Sequence, residues 1–212
     1  MELHRAHGND WDETKQQDRN LWQNMAAGTY GLISPGNVIT ILGFALVALG
    51  LELLAYQKNT WLAVGCIVVG RLADLLDGMV ADWTKTKSPV GEALDAVIDK
   101  MEIILAVIVI WLLALMPTVV FVLMAVHAAC NIGLYITAHY QKQRLHPSRT
   151  GKLAAAGQWF AITCFIPALS DVVDGAVKSG LLTLAWLAIV LFVTLGLHSS
   201  WHYSKQLLVR RG

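Results

Sequence analysis

Long apolar runs constrain this chain more than any other feature. Val38–Tyr56, Ile103–Met116, Val119–Cys130 and Leu181–Leu197 are too long and too evenly apolar for an amphipathic surface helix. Each approaches the roughly 20 residues needed to cross a bilayer. Hydrophobic residues make up 56% of the chain against 15% charged, and the mean hydropathy is +0.53, far from a soluble mixture. The predicted fold class is therefore all-α: an integral membrane bundle of six transmembrane helices near residues 37–56, 61–83, 90–115, 118–140, 151–170 and 179–201. A short N-terminal interfacial helix is expected around Trp11 to Met25. The connections carry helix-stopping signals, namely Ser34-Pro35-Gly36, Gln57–Thr60, Ser88-Pro89, Met116-Pro117 and Asp174-Gly175. Residues 1–30 form an N-terminal cytoplasmic or interfacial segment, and residues 31–212 a single six-helix transmembrane domain.

Net charge is only +1, so no global field recruits nucleic acid, and the placement of the charges says more than their sum. Six crossings put twelve of the sixteen Lys and Arg residues on one side, among them Lys85, Lys87, Lys142, Arg144, Arg149, Lys152 and Lys205. The opposite side receives Lys58 and Lys178, while Arg71 and Lys100 stay within spans. The positive-inside rule then places both termini in the cytoplasm, in a chain expected at the cell (inner) membrane. The first 28 residues are polar and lack an apolar core, which argues against a removable signal peptide. Cys66, Cys130 and Cys164 stand in apolar stretches without a CxxC pair and read as small core residues.

Against that apolar background the acids need an explanation. The second span ends with Asp74, Asp77 and Asp82, and the third opens with Glu92, Asp95 and Asp99. Separations of three and four residues bring Asp74 and Asp77 onto one helix face, and likewise Asp95 and Asp99. A short turn makes the two spans antiparallel neighbours, so the stripes can face each other near the cytoplasmic boundary. An ionised acid within a span costs on the order of 2.5–3.5 kcal/mol, and some cation must offset that. Two divalent ions would match four carboxylates, and oxygen-only ligands favour Mg2+ or Mn2+ over zinc. Paired ions suit displacement at phosphorus, where charge develops on both the leaving and the attacking oxygen. Gly78 and Gly91 lack side chains and would let a phosphate or ribose approach the helix backbones. The bland alternative is that the aspartates solvate helix ends or pair with Arg71, Lys85, Lys87 and Lys100.

The string Asp74-x2-Asp77-Gly78-x2-Ala81-Asp82-x8-Gly91-x3-Asp95-x3-Asp99 resembles the signature of the CDP-alcohol phosphotransferases, D-x2-D-G-x2-A-R-x8-G-x3-D-x3-D. Seven of the eight fixed positions agree. The resemblance implies that Asp74, Asp77 and Asp95 are metal ligands. It further implies that Asp99 both touches the second metal and takes the proton from the acceptor hydroxyl. Asn37 and Thr40 are similar to the family's N-x2-T element for the cytidine diphosphate, and Gly78, Ala81, Ser88 and Gly91 match positions around the same group. The implied donor is a CDP-linked lipid such as CDP-diacylglycerol, the acceptor a polar alcohol or phospho-alcohol, and the assembly a homodimer. One position departs from the pattern. Asp82 stands where the family has arginine, which leaves a shifted cation (Arg71, Lys85 or Lys87) or a lost activity as readings.

The segment Ser148-Arg149-Thr150-Gly151-Lys152 with Gln158 is loosely similar to phosphatidylglycerophosphate synthases, which suggests glycerol 3-phosphate as acceptor. Arg149 and Lys152 could equally be ordinary positive-inside charges. His198, His202 and Lys205 share spacings of four and three and either bind acceptor phosphate or anchor the helix at the headgroups. His127 and Asn131, at i and i+4, are expected to make an interhelical hydrogen bond. Asp171-x2-Asp174-Gly175 repeats the D-x2-D-G string without the acids that should follow and reads as an exposed turn. Two functions compete with the transferase: a non-catalytic family member, motivated by Asp82, and a cation transporter using the same acids. The transporter would require polar residues across the full bilayer depth, whereas these acids cluster at one end.

Overall fold

The computed structural model describes residues 21–29, 33–141 and 148–209. The expected helix from Trp11 to residue 20, and the cations Lys142, Arg144, Arg210 and Arg211, lie outside them. The order is α1 (Leu21–Gly28), α2 (Pro35–Ala55), α3 (Thr60–Trp83), α4 (Pro89–Leu112), α5 (Thr118–Tyr140), α6 (Arg149–Leu169) and α7 (Gly175–Val209). There is no strand among the described residues. The six long helices fall where the apolar runs and stop signals predict. Four stretches, Pro35–Ala55, Thr118–Ala138, Arg149–Leu169 and Gly175–Leu207, are long and apolar enough to cross a membrane. In α3 and α4 the apolar run is interrupted by the charged stripes.

Local hydrogen bonding explains why the helices stop where they do. Ser34 caps α2: its hydroxyl accepts the Asn37 N–H at 3.2 Å, and Pro35 fills the first helical position, where a missing N–H is harmless. Helix α3 closes with Thr86 N–H on the Ala81 carbonyl (3.0 Å) and Lys85 N–H on that of Asp82 (3.2 Å). Lys85 takes the left-handed φ of 55° that this closure requires. The Ser88 hydroxyl then accepts the Gly91 N–H at 3.0 Å and starts α4. The same closure, with Gln57 (φ 51°) and Ala114 (φ 57°), ends α2 and α4.

The fold divides into two compact units, one of Met1–Ala45 with Val69–Met101, the other of Leu46–Val68 with Glu102–Gly212. In the first, small residues form the α2–α3 seam. A Cβ on Gly43 would lie 2.9 Å from the Gly70 carbonyl oxygen and 3.3 Å from Ala73 Cβ, and one on Gly36 would lie 3.0 Å from both Ala81 Cβ and the Asp77 carbonyl oxygen. Such contacts let two backbones pack with little side chain between them. Helix α1 is fastened to the α3–α4 turn by the Gln23 amide, which donates to the Thr84 carbonyl at 3.2 Å.

The core of the second unit is built around α6, where Ala154, Gly157, Trp159, Ala161, Ile162 and the run Cys164–Ala168 are buried. Phe165 and Phe192 are among its largest fully buried side chains, and Phe165 meets Trp186 of α7 edge to face at 5.8 Å. Ser148 caps α6 by accepting the Gly151 N–H at 3.0 Å. The Asp171–Gly175 segment is a turn, as its composition predicts: Asp171 and Gly175 have φ of 55° and 54°, and exposed Asp171 pairs with Lys178 at 3.3 Å.

Candidate functional site

The acidic stripes meet within the first unit. Asp74 on α3 and Asp95 and Asp99 on α4 each offer a carboxylate oxygen within 4.8 Å of the other two. The helical spacing and the tight Thr84–Ser88 turn bring them together, as the sequence predicts. Three anionic oxygens this close repel one another unless a cation lies among them. Arg71, one turn before Asp74, supplies part of that charge. Its Nη2 lies 2.7 Å from Asp74 Oδ2 and its Nη1 2.9 Å from Asp99 Oδ1, so the guanidinium bridges α3 and α4.

Asp77 is not one of the three clustered acids. It is buried, and its carboxylate accepts a hydrogen bond from the buried Thr40 hydroxyl of α2. Thr40 also approaches the Gly36 carbonyl at 3.1 Å. Asn37, one turn earlier, is buried beside Gly91, where a Cβ would stand 2.8 Å from Asn37 Oδ1 and 3.2 Å from Ser88 Oγ. The expected Asn37, Thr40, Ser88 and Gly91 thus gather around the start of α4 and the end of α3. Gly91 is needed there to admit the Asn37 amide, a role distinct from the ligand approach its sequence position suggests. Gly78 does face open space, with nothing within 4 Å of where its Cβ would be.

Asp82, next to the half-buried Ala81, is exposed and pairs with Lys87 at 3.4 Å; Lys87 also lies 4.0 Å from Glu92. Of the cations proposed to replace the missing arginine, Lys87 is the one whose ammonium pairs with the Asp82 carboxylate. Arg71 is held one helix stripe away, on Asp74 and Asp99.

Among known proteins, the family model described as CDP-alcohol phosphatidyltransferase matches residues 34–196, most of the chain and all of the helices that carry these groups. The chain belongs to the CDP-alcohol phosphatidyltransferase family. One curated relative, an uncharacterized protein of Aquifex aeolicus (strain VF5), is 40% identical over 70 residues; the match spans 33% of this chain and 35% of that protein. No solved structure matches.

The residues expected on the acceptor side of a CDP-alcohol phosphatidyltransferase belong to the second unit. Arg149, His198, His202 and Lys205 are exposed, and Lys205 sits 5.1 Å over the Trp201 ring. Lys152, exposed as well, borders a cavity of about 320 Å3 lined mostly by polar residues, whose wall on α7 is Ser199 and Tyr203. Those two residues are not singled out by the sequence, because they stand at i, i+4 among other polar residues, His198, Ser200, His202, Ser204 and Lys205, and only the packing of α7 selects their stripe. Ser199 shares a 2.7 Å hydrogen bond with Ser148, and the Tyr203 hydroxyl accepts the Ser148 N–H at 3.1 Å. His127 and Asn131 lie 3.0 Å apart, and Asn131 accepts from the Ser200 hydroxyl at 3.3 Å, the expected interhelical bond from α5 to α7.

Proposed function

We propose that this chain transfers a substituted phosphoryl group, a phosphatidyl group in the simplest case, from a CDP-linked lipid such as CDP-diacylglycerol to an alcohol or phospho-alcohol, releasing CMP. The observation that carries the reading is the convergence of Asp74, Asp95 and Asp99 oxygens within 4.8 Å, within a signature that agrees with the family's at every acidic position. The donor set fits a hard divalent cation, since it contains only carboxylates, with neither imidazole nor thiolate. Asp74, Asp95 and Asp99, with Asp77, would hold Mg2+ or Mn2+, two ions for four charges. When bound, such ions neutralise charge on the donor's diphosphate and acidify the acceptor hydroxyl.

The chain's own groups divide the remaining work. Asp99, whose side chain is 44% exposed, takes the acceptor's hydroxyl proton. The acceptor oxygen forms a bond to the lipid-bearing phosphorus, and the bond from that phosphorus to the CMP oxygen breaks with its electron pair leaving on CMP. Asn37, Thr40, Gly78, Ala81 and Ser88 form the donor's nucleotide surface, with Gly91 making room for the Asn37 amide, and open space at Gly78 supports close approach. Lys152 is the acceptor-side cation best supported by the geometry, and the Ser148–Lys152 likeness keeps glycerol 3-phosphate as the acceptor.

The full reading is a catalytic domain at residues 31–212 with six spans, α3 and α4 included, in a cell membrane and as a homodimer. The twelve-to-two distribution of Lys and Arg supports cytoplasmic termini. Purified protein is incubated with CDP-diacylglycerol, Mg2+ or Mn2+ and a panel of alcohols and phospho-alcohols, and CMP is measured. Metal-dependent CMP release that vanishes in Asp99→Asn is the expected result. Asp82 favours a second reading, a non-catalytic member, and absence of CMP with every acceptor would establish it in place of the first.

A further inference from the structure

The polar cavity of the second unit is not isolated. Two of its wall residues, His127 and Gln158, also wall an apolar cavity of about 320 Å3 formed by Ile104, Val107, Ile108, Phe121, Met124 and Ala125 with their neighbours. Each lies at the low end of the range for small-molecule pockets, about 300–1,000 Å3. The two cavities adjoin along His127 and Gln158, with Lys152, Ser199 and Tyr203 bordering one and hydrocarbon side chains bordering the other.

The junction is held in place. His127 lies edge-on to Phe192, with centroids 4.9 Å apart, and is paired with Asn131. Gly196 is the residue that makes room for it, because a Cβ there would be 2.7 Å from His127 Nε2. Gln158 is half-buried and its side chain makes no hydrogen bond with the described residues, so its amide is available to a ligand. Lys152 likewise forms no ion pair among the described residues. At the apolar end Ile104 and Ile108 are 49% and 42% exposed, which opens that end sideways at the protein surface.

We propose that these adjoining cavities bind an anionic phospholipid, with its phosphate on Lys152 beside Ser199 and Tyr203, its glycerol oxygens on Gln158, and one acyl chain along Val107, Phe121 and Met124. A small polyol phosphate would use only the polar half. A lipid that merely coats the protein would use only the apolar half. The shared wall and the available amide fit a molecule that needs both. This inference shares Lys152 with the acceptor side of the transfer reading, but it concerns binding without donor or metal, so a failure of lipid binding and a failure of CMP release are read separately.

The test is native mass spectrometry of the full chain in detergent with EDTA, titrated with lysophosphatidylglycerol, lysophosphatidylcholine or glycerol 3-phosphate. The expected result is saturable binding of one lysophosphatidylglycerol, weakened about tenfold by Lys152→Gln, which removes a charge-assisted hydrogen bond, and to a similar degree by Ala125→Phe, which fills the apolar half. Lysophosphatidylcholine should bind more weakly. If Ala125→Phe fails to fold, Ala128→Leu fills the same half more gently. Lipid binding unchanged by both the charge and the filling variant would overturn the proposal, as would glycerol 3-phosphate binding as tightly as the lipid.

Discussion

Arg71 Nη1 lies 2.9 Å from Asp99 Oδ1, so the residue proposed to accept a proton is held from the neighbouring helix by a guanidinium that also grips Asp74. Removing that guanidinium leaves carboxylates crowded with less counter-charge. Arg71→Gln should therefore lose about 1–3 kcal/mol of stability in EDTA. Millimolar Mg2+ should restore much of it. Thermal unfolding of both proteins with and without Mg2+ reads this directly, and equal losses in the two conditions would refute it.

The buried Thr40 hydroxyl donates to the buried Asp77 carboxylate. Thr40→Val keeps the shape and deletes the donor, which should cost about 1–3 kcal/mol because the carboxylate loses a buried partner. Thr40→Ser should recover most of that. Denaturant unfolding of the three proteins gives the comparison.

A Cβ at Gly43 would meet backbone at 2.9 Å, whereas one at Gly65 would meet nothing within 4 Å. Gly43→Ala should destabilise by about 1–3 kcal/mol through overpacking of the α2–α3 seam. Gly65→Ala should be neutral or stabilise by up to about 1 kcal/mol, since alanine loses less entropy in a helix. Their melting temperatures should move in opposite directions or differ plainly in size.

Asp82 and Lys87 are 64% and 52% exposed at the side chain, and such a surface pair contributes little. Asp82→Arg should leave the melting temperature nearly unchanged while lowering KM for the CDP-linked donor several-fold, because it restores a cation where the family carries one and releases Lys87. Steady-state kinetics with varied donor would show this.

Much of the architecture was legible in apolar runs and their stop signals. The expected spans and the helices agree to within about three residues at most ends, because Ser, Pro and Gly at Ser34–Gly36 and Ser88-Pro89 act locally. Helix α7 is longer than predicted at both ends, running Gly175–Val209; the polar residues after Leu197 resemble a headgroup segment yet remain helical. The meeting of Asp74, Asp95 and Asp99 follows from i, i+3 and i, i+4 spacing plus one turn. The diversion of Asp77 to Thr40 does not, because it depends on how closely α2 packs on α3. That closeness has a sequence trace, Gly36 and Gly43 seven residues apart, which reads as a seam only once a partner helix is known. The polar wall at Ser199 and Tyr203 rather than at His198 and His202 was likewise hidden, since a rotation of one residue in helical phase decides which stripe faces inward.

Electron paramagnetic resonance of Mn2+ titrated into purified protein tests the central claim, that the aspartates of α3 and α4 form a divalent-cation site. Tight binding of two ions per chain is expected, reduced in Asp95→Asn and Asp99→Asn at unchanged fold. Free Mn2+ signal throughout the titration, or binding indifferent to both substitutions, would contradict it.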